Sequence, residues 1–432
     1  MTARQAALRL GALKDPRARP HLEKALRSPD VGLRVGAASA LGAIGHSASR
    51  HALEAMLADP DWRARAQAAY ALSRIHDLRS TGILAETLGR DSSALVRNAS
   101  ALALGRIGDP RAIPWLVRAL DDESDRVRRE AIIALERAHD PGAPEKVRRF
   151  LRDPVRRVRI AATLVAGLRR DQASVPELLE LLARADHWEK PAIMVALGRI
   201  GTPESGAALA RSADDEVRWV RVCALHGLAE MRAPQTREVA RSKLADPSWA
   251  VRGAAALALG KVGRHDDAGA LVPLLRDHSA WVRRAAVYGL GMLGLTDRSP
   301  EIRGALEDPD PEVSLAAIWA LGRLADRASA PRLIELLGQA RPHPASHRTV
   351  LVEGDGAVRL VSDAHSRRFD ALVQALSALA ARWPDPPVFA ALESARRGLT
   401  EADLDRPARL PSALGPGEGP RTLRSLFEVG PQ

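Results

Sequence analysis

Arginine, tryptophan, histidine and one cysteine are the side chains of this 432-residue sequence with the types and spacing to do chemistry. Nucleophilic and metal chemistry find little to work with. Cys223 stands alone, which excludes a disulfide framework and any cysteine-based zinc or iron–sulfur cluster within the chain; a buried structural thiol is expected there. The twelve histidines are scattered; His76 and His139 occupy equivalent turn positions and His343 and His347 share one loop, where solvation is the ordinary state. No Gly-rich phosphate loop, no Gly-x-Ser-x-Gly and no nucleophile spaced to meet a base is found. Catalytic residues, cofactors and metals are therefore all expected to be absent.

Recognition chemistry is better supplied. Of 64 basic residues 58 are Arg, and segment 126–170 holds thirteen basic against five acidic residues, a local +8 out of a total of +11. Within it Lys146, Arg148, Arg149, Arg152, Arg156 and Arg157 present a charged face suited to phosphates or to an acidic protein surface. A solvated helix edge in an Arg-rich composition fits the same residues. The second cluster is aromatic: Trp188, Trp219, Trp249 and Trp281 recur two or three residues ahead of a repeated basic residue, and Trp62 takes the same place earlier. Such indoles either cover seams between repeats or line a groove for a peptide or other flat ligand.

The elements that hold these residues follow from a repeat. Arg34, Arg65, Arg97, Arg128, Arg159, Lys190, Arg221, Arg252 and Arg283 stand 31 residues apart, with one step of 32, and Ser314 takes the tenth place. Three residues on is a small residue in nine of ten units (Ile193 excepted), and seven on is Leu in nine of ten. Those spacings draw one apolar helical stripe, and the small positions let a neighbouring helix come near. Gly-Asp-Pro and Gly-Thr-Pro at 108–110 and 201–203 then end one helix and open the next. Each unit reads as a helical hairpin that cannot bury its apolar faces alone, so the units must stack. An Asp six residues before the anchor in eight units, or four before it as Asp30 and Asp186, predicts a carboxylate–guanidinium ladder tying unit to unit.

These segments, residues 91–116 above all, resemble HEAT repeats of the short bacterial type also called PBS-lyase HEAT-like. The resemblance runs over residues 1 to about 340 and again over 369–395. It implies an all-α, right-handed α-α superhelix of about 11–12 helical hairpins. It says little of function, because the architecture serves scaffolds, lyase chaperones, hydroxylases and repair enzymes. The iron-binding His-Glu dipeptides of HEAT-repeat deoxyhypusine hydroxylases have no counterpart in this sequence.

Four regions are expected: a solenoid over 1–340, an insertion over 341–368, a last degenerate repeat over 369–397 and a Pro/Gly-rich tail over 398–432. The insertion carries a β-hairpin signal at Thr349–Val361, around Gly-Asp-Gly. The first unit is clipped, so its open end is expected to continue upstream or be covered. No apolar run suits a signal peptide or a membrane span, and a cytoplasmic protein is expected. The functional expectation is a non-enzymatic scaffold that binds another protein, one with an acidic surface suiting segment 126–170. Nucleic-acid binding or repair through that segment, and lyase or chaperone work on a cofactor-carrying partner, are the alternatives.

Overall fold

The computed structural model describes residues 3–340, 350–352, 358–360, 364–383 and 385–397. Its 24 α-helices form twelve hairpins among the described residues, each a longer first helix and a shorter second one. In most units the first helix begins three residues before the anchor, as in Val31–Ile44, Ala94–Ile107 and Ala280–Leu293. It typically ends ten residues after the anchor, and in most units the next residue turns the chain in a left-handed conformation. Gly45, Gly108, Gly201 and Gly294 supply that conformation, but His76, His139, Arg170, Arg232 and Ala325 adopt it too, at φ of 50–55°. Segment 126–170 thus keeps the turn although it lacks the glycine.

The second helices are less regular than expected. After Gly108 the chain opens with a 3-10 turn, Pro110–Ala112, before the helix Ile113–Ala119. Asp109 fixes its start by accepting the backbone N–H of Arg111 at 3.0 Å, and Asp77 does the same for Arg79.

The stripe residues form the core: Leu41, Leu104, Leu197 and Leu290 are fully buried, as are the small residues Ala37, Ser100 and Ala286. The closest helix approach lies elsewhere, at a glycine eight residues after the anchor. A Cβ on Gly105 would stand 2.7 Å from the Cα of Ala134, and one on Gly167 would stand 2.7 Å from that of Ala196. Glycine there lets backbones touch.

The anchors build the ladder in a specific direction. Arg97 donates Nε to Asp122 Oδ2 (2.7 Å) and Nη2 to Asp122 Oδ1 (2.9 Å), while Nη1 donates to the Asp91 carbonyl of its own turn (2.9 Å). Arg34, Arg65, Arg128, Arg221, Arg252 and Arg283 likewise pair with the Asp of the following unit. Arg159 departs from the pattern: it pairs with Glu189, and Asp186 receives Arg156 instead. Each aspartate also accepts a backbone N–H two residues on, as Asp122 does from Ser124. Ser314 cannot continue the ladder; its hydroxyl is buried without a partner.

The chain divides into two compact units, 1–208 and 209–432, with the boundary inside the helix Pro203–Ser212. In the first, successive first helices pack from Ala3–Leu13 through to Lys190–Ile200. In the second they pack from Arg218–Met231 through Trp249–Val262, Ala280–Leu293 and Pro311–Leu324 to Ala364–Arg382. The last step skips the insertion: Gly322 packs directly on Ala375, so that a Cβ added at Gly322 would stand 2.6 Å from the Ala375 Cα. Of the hairpin expected at Thr349–Val361, the described part is two three-residue strands, Val350–Val352 and Val358–Leu360, antiparallel with Val350 opposite Leu360. The rest of 341–368 falls largely outside the described residues, as does the tail 398–432. No helix among the described residues is long and apolar enough to cross a membrane.

Candidate protein-interaction surface

The six cations singled out in segment 126–170 all lie in the first unit, and each has a carboxylate beside it. Lys146 bonds Asp140 (2.6 Å), Arg148 Asp171 (3.0 Å), Arg149 Asp121 (2.6 Å), Arg152 Glu180 (2.9 Å), Arg156 Asp186 (2.7 Å) and Arg157 Asp125 (2.7 Å). Five of these six acids lie outside the 126–170 window, supplied by neighbouring repeats that the stacking brings alongside. The segment's +8 is therefore largely balanced in space. With its cations offset by these acids, the segment offers a phosphate little net positive charge. Nearby Glu130 is buried between Arg129 and Arg137, and burial pushes its carboxyl above the ordinary range despite them.

The tryptophans divide between the units. Trp188 belongs to the first; it is the most exposed, at 70%, and its ring lies 5.0 Å from that of His187. Trp219, Trp249 and Trp281 belong to the second and line one cavity of about 700 Å³. Trp219 and Trp249 are about half exposed, at 51% and 49%, whereas Trp281 is half-buried. A seam cover would be buried, so the first two are surface indoles.

The helices explain why a cavity opens between these rings. Trp219 stands at the start of Arg218–Met231, Trp249 opens Trp249–Val262 and Trp281 opens Ala280–Leu293. The middle helix turns a floor of small residues to them, Ala250, Ala254 and Ala258. Trp281 lies on Gly253 so closely that a Cβ there would come 2.2 Å from its indole Nε1. The rings are thereby held apart over a low floor, and Val222, Leu257 and Met292 fill the sides. The sequence showed the indoles through their recurrence; the small residues were hidden because the repeat uses Ala everywhere.

Lys261 is the one formally charged residue lining this groove, and Glu230 lies 3.5 Å from it outside the lining. Lys261 and His226 are among its lining residues, and no carboxylate is. The Arg284 guanidinium lies 4.6 Å from the centre of the Trp281 ring and that of Arg218 lies 5.4 Å from the Trp219 ring. Cys223, expected to be buried, is part-buried on the groove wall, and desolvation pushes its thiol up, away from reactive thiolate. No group of three or more metal-ligating side chains forms among the described residues.

The sequence matches the family model for HEAT repeats in seven overlapping stretches, the first over residues 1–73 and the last over 269–350. No curated protein matches it significantly. Among solved structures, yeast importin-β (Kap95p) aligns with a TM-score of 0.61 at 14% identity, covering 88% of this chain and 60% of that one. Importin-β in an ammonium sulfate condition aligns with a TM-score of 0.57 at 14% identity, covering 91% of this chain and 62% of that one. The chain thus spans about 60% of the length of these importin chains, and at such identity the likeness shows the fold alone. The complex of CpcE and CpcF of phycocyanin lyase from Nostoc sp. PCC7120 aligns over 51% of this chain and 91% of that one, at 25% identity and a TM-score of 0.35. Matched by the repeat model over most of its length, and folded as stacked helical hairpins, the chain belongs to the HEAT-repeat family.

Proposed function

We propose that the chain is a non-catalytic cytoplasmic scaffold that binds another protein, and that the tryptophan-lined groove of the second unit is its main contact surface. The observation that carries this reading is the pair of half-exposed indoles, Trp219 and Trp249, over a preformed apolar cavity. Trp is enriched among the side chains that dominate interfaces, and concave, mostly apolar sites are where partners and ligands seat. The insertion between the packed helices Pro311–Leu324 and Ala364–Arg382 is a second docking element in this reading, since it leaves the stack uninterrupted.

The basic segment is the lesser candidate, because its exposed cations already have acidic neighbours. Charge reversal at Arg149 and Arg152, whose pairs are exposed and contribute about 0–1 kcal/mol each, is expected to leave partner binding within about twofold. The test of the main reading is affinity purification with the intact chain and with Trp219→Ala/Trp249→Ala. A partner recovered with the first and lost with the second supports it; a partner retained by the variant overturns the assignment of the surface. Titration with duplex DNA at low salt addresses the rival, which requires measurable, salt-sensitive affinity.

A further inference from the structure

We propose that the Trp219/Trp249/Trp281 groove seats a short partner segment whose apolar anchor side chains are flanked by carboxylates. The inference rests on the protein-binding reading above and adds the chemistry of what is bound.

The cavity sets the first requirement. At about 700 Å³ it holds more than one large side chain, and its walls are indole and aliphatic. Trp281 is locked on Gly253. An apolar insert meets a surface that needs little rearrangement, which favours affinity.

The charges set the second requirement. An open group of tryptophans would ordinarily hold a cation, because the indole face attracts positive charge. At Trp219 and Trp281 that attraction is already answered by Arg218 and Arg284 of the protein itself. Lys261 adds a third cation on the wall. A lysine, arginine or quaternary ammonium entering the groove would meet these cations and find no carboxylate in the lining. The acids near them sit outside the lining: Glu230 lies 3.5 Å from Lys261 and Glu312 lies 3.4 Å from Arg284, in part-exposed pairs that an incoming carboxylate can exchange with. Complementarity therefore selects a segment that is apolar at its centre and acidic at its edges.

The test uses the full chain and fluorescein-labelled 14-residue peptides with a central Leu-Phe-x-x-Leu motif, read by fluorescence anisotropy at about 50 mM salt. One peptide is flanked by Asp and Glu, one by Lys and Arg, one by Ser and Gly; the dye ANS serves as a small aromatic probe. The expected result is binding of the acidic peptide at least tenfold tighter than the basic one. Trp219→Ala/Trp249→Ala should weaken it at least tenfold with an unchanged unfolding midpoint, and Lys261→Glu should abolish the preference for acidic flanks while retaining binding. Equal or tighter binding of the basic or neutral peptide, with the same Trp dependence, overturns the charge assignment but leaves the protein-binding reading standing. Trp-dependent binding of ANS with no peptide bound overturns both. Trp-dependent self-association of the chain in sedimentation overturns the partner segment in favour of a second copy.

Discussion

Arg97 directs its donors to two repeats at once, to the carbonyl at the end of its own turn and to the aspartate of the next unit. Both partners are part-buried, and removing one member of such a pair leaves the other uncompensated. Arg97→Ala is expected to destabilise the first unit by about 2–4 kcal/mol, and Arg97→Lys to recover little, because an ammonium cannot reproduce the fork. Denaturant unfolding followed by circular dichroism checks both. The same chemistry sets the acid limit of stability. Hydrogen bonds from the Arg111 side chain hold the Asp109 carboxyl at about 2 against the opposing effect of burial, and Arg79 does the same for Asp77. Hydrogen bonds from Arg283 also hold Asp308 below the ordinary range. A carboxyl depressed in the folded state contributes stability above its unfolded value of about 3.9 and loses it as protons bind the folded form. Stability is therefore expected to be flat through neutral pH and to fall between about pH 4 and pH 2. A loss centred near pH 6 would contradict the assignment. The ladder was legible in the sequence as a recurrence of Asp and Arg, but its direction was not. Arg and the Asp six residues before it look like the pair along the chain, whereas in space the partner lies 25 or 26 residues further on, as Arg34–Asp59 and Arg65–Asp91 do.

At the scale of the helix, two glycine positions have opposite consequences. Gly105 has the Cα and Cβ of Ala134 within 2.7 Å of where its own Cβ would be, so the neighbouring backbone must shift if one is added. Gly105→Ala is expected to cost about 1–3 kcal/mol despite alanine's better helix propensity, as overpacking does elsewhere. Arg232 is the converse case, an exposed non-glycine at φ 51° in a turn that four other units close with glycine. Arg232→Gly is expected to stabilise the second unit by about 0.5–1 kcal/mol, since a left-handed L-residue is strained by about that much or more. Thermal unfolding of the two variants should move in opposite directions. The first helices were readable because anchor, small residue and Leu fall on one stripe. The second helices were less so, because their ends tighten into 3-10 turns such as Pro110–Ala112 that carry no period of their own. The close contact at Gly105 was equally hidden: small residues occur at several stripe positions, and only packing tells which one a neighbour touches.

Across the molecule, stacking decides which features of the sequence become surface. It brings Asp121, Asp171, Glu180 and Asp186 from adjoining repeats onto the arginines of segment 126–170, and so turns a cluster of +8 into paired charge. It does the reverse for tryptophan, gathering Trp219, Trp249 and Trp281 from three successive hairpins around one cavity. Charge counted along the chain misled because a 31-residue repeat places residues from neighbouring units beside each other. The tryptophans were found because their own recurrence obeys the repeat. Hydroxyl-radical footprinting of the chain alone and with a purified binding partner, with oxidation read at each tryptophan, locates partner contact on this groove or elsewhere. Strong protection of Trp219 and Trp249 is expected in the complex, with Trp62 and Trp188 unchanged. Unchanged oxidation of Trp219 and Trp249 on a chain with its partner bound would contradict contact at the groove.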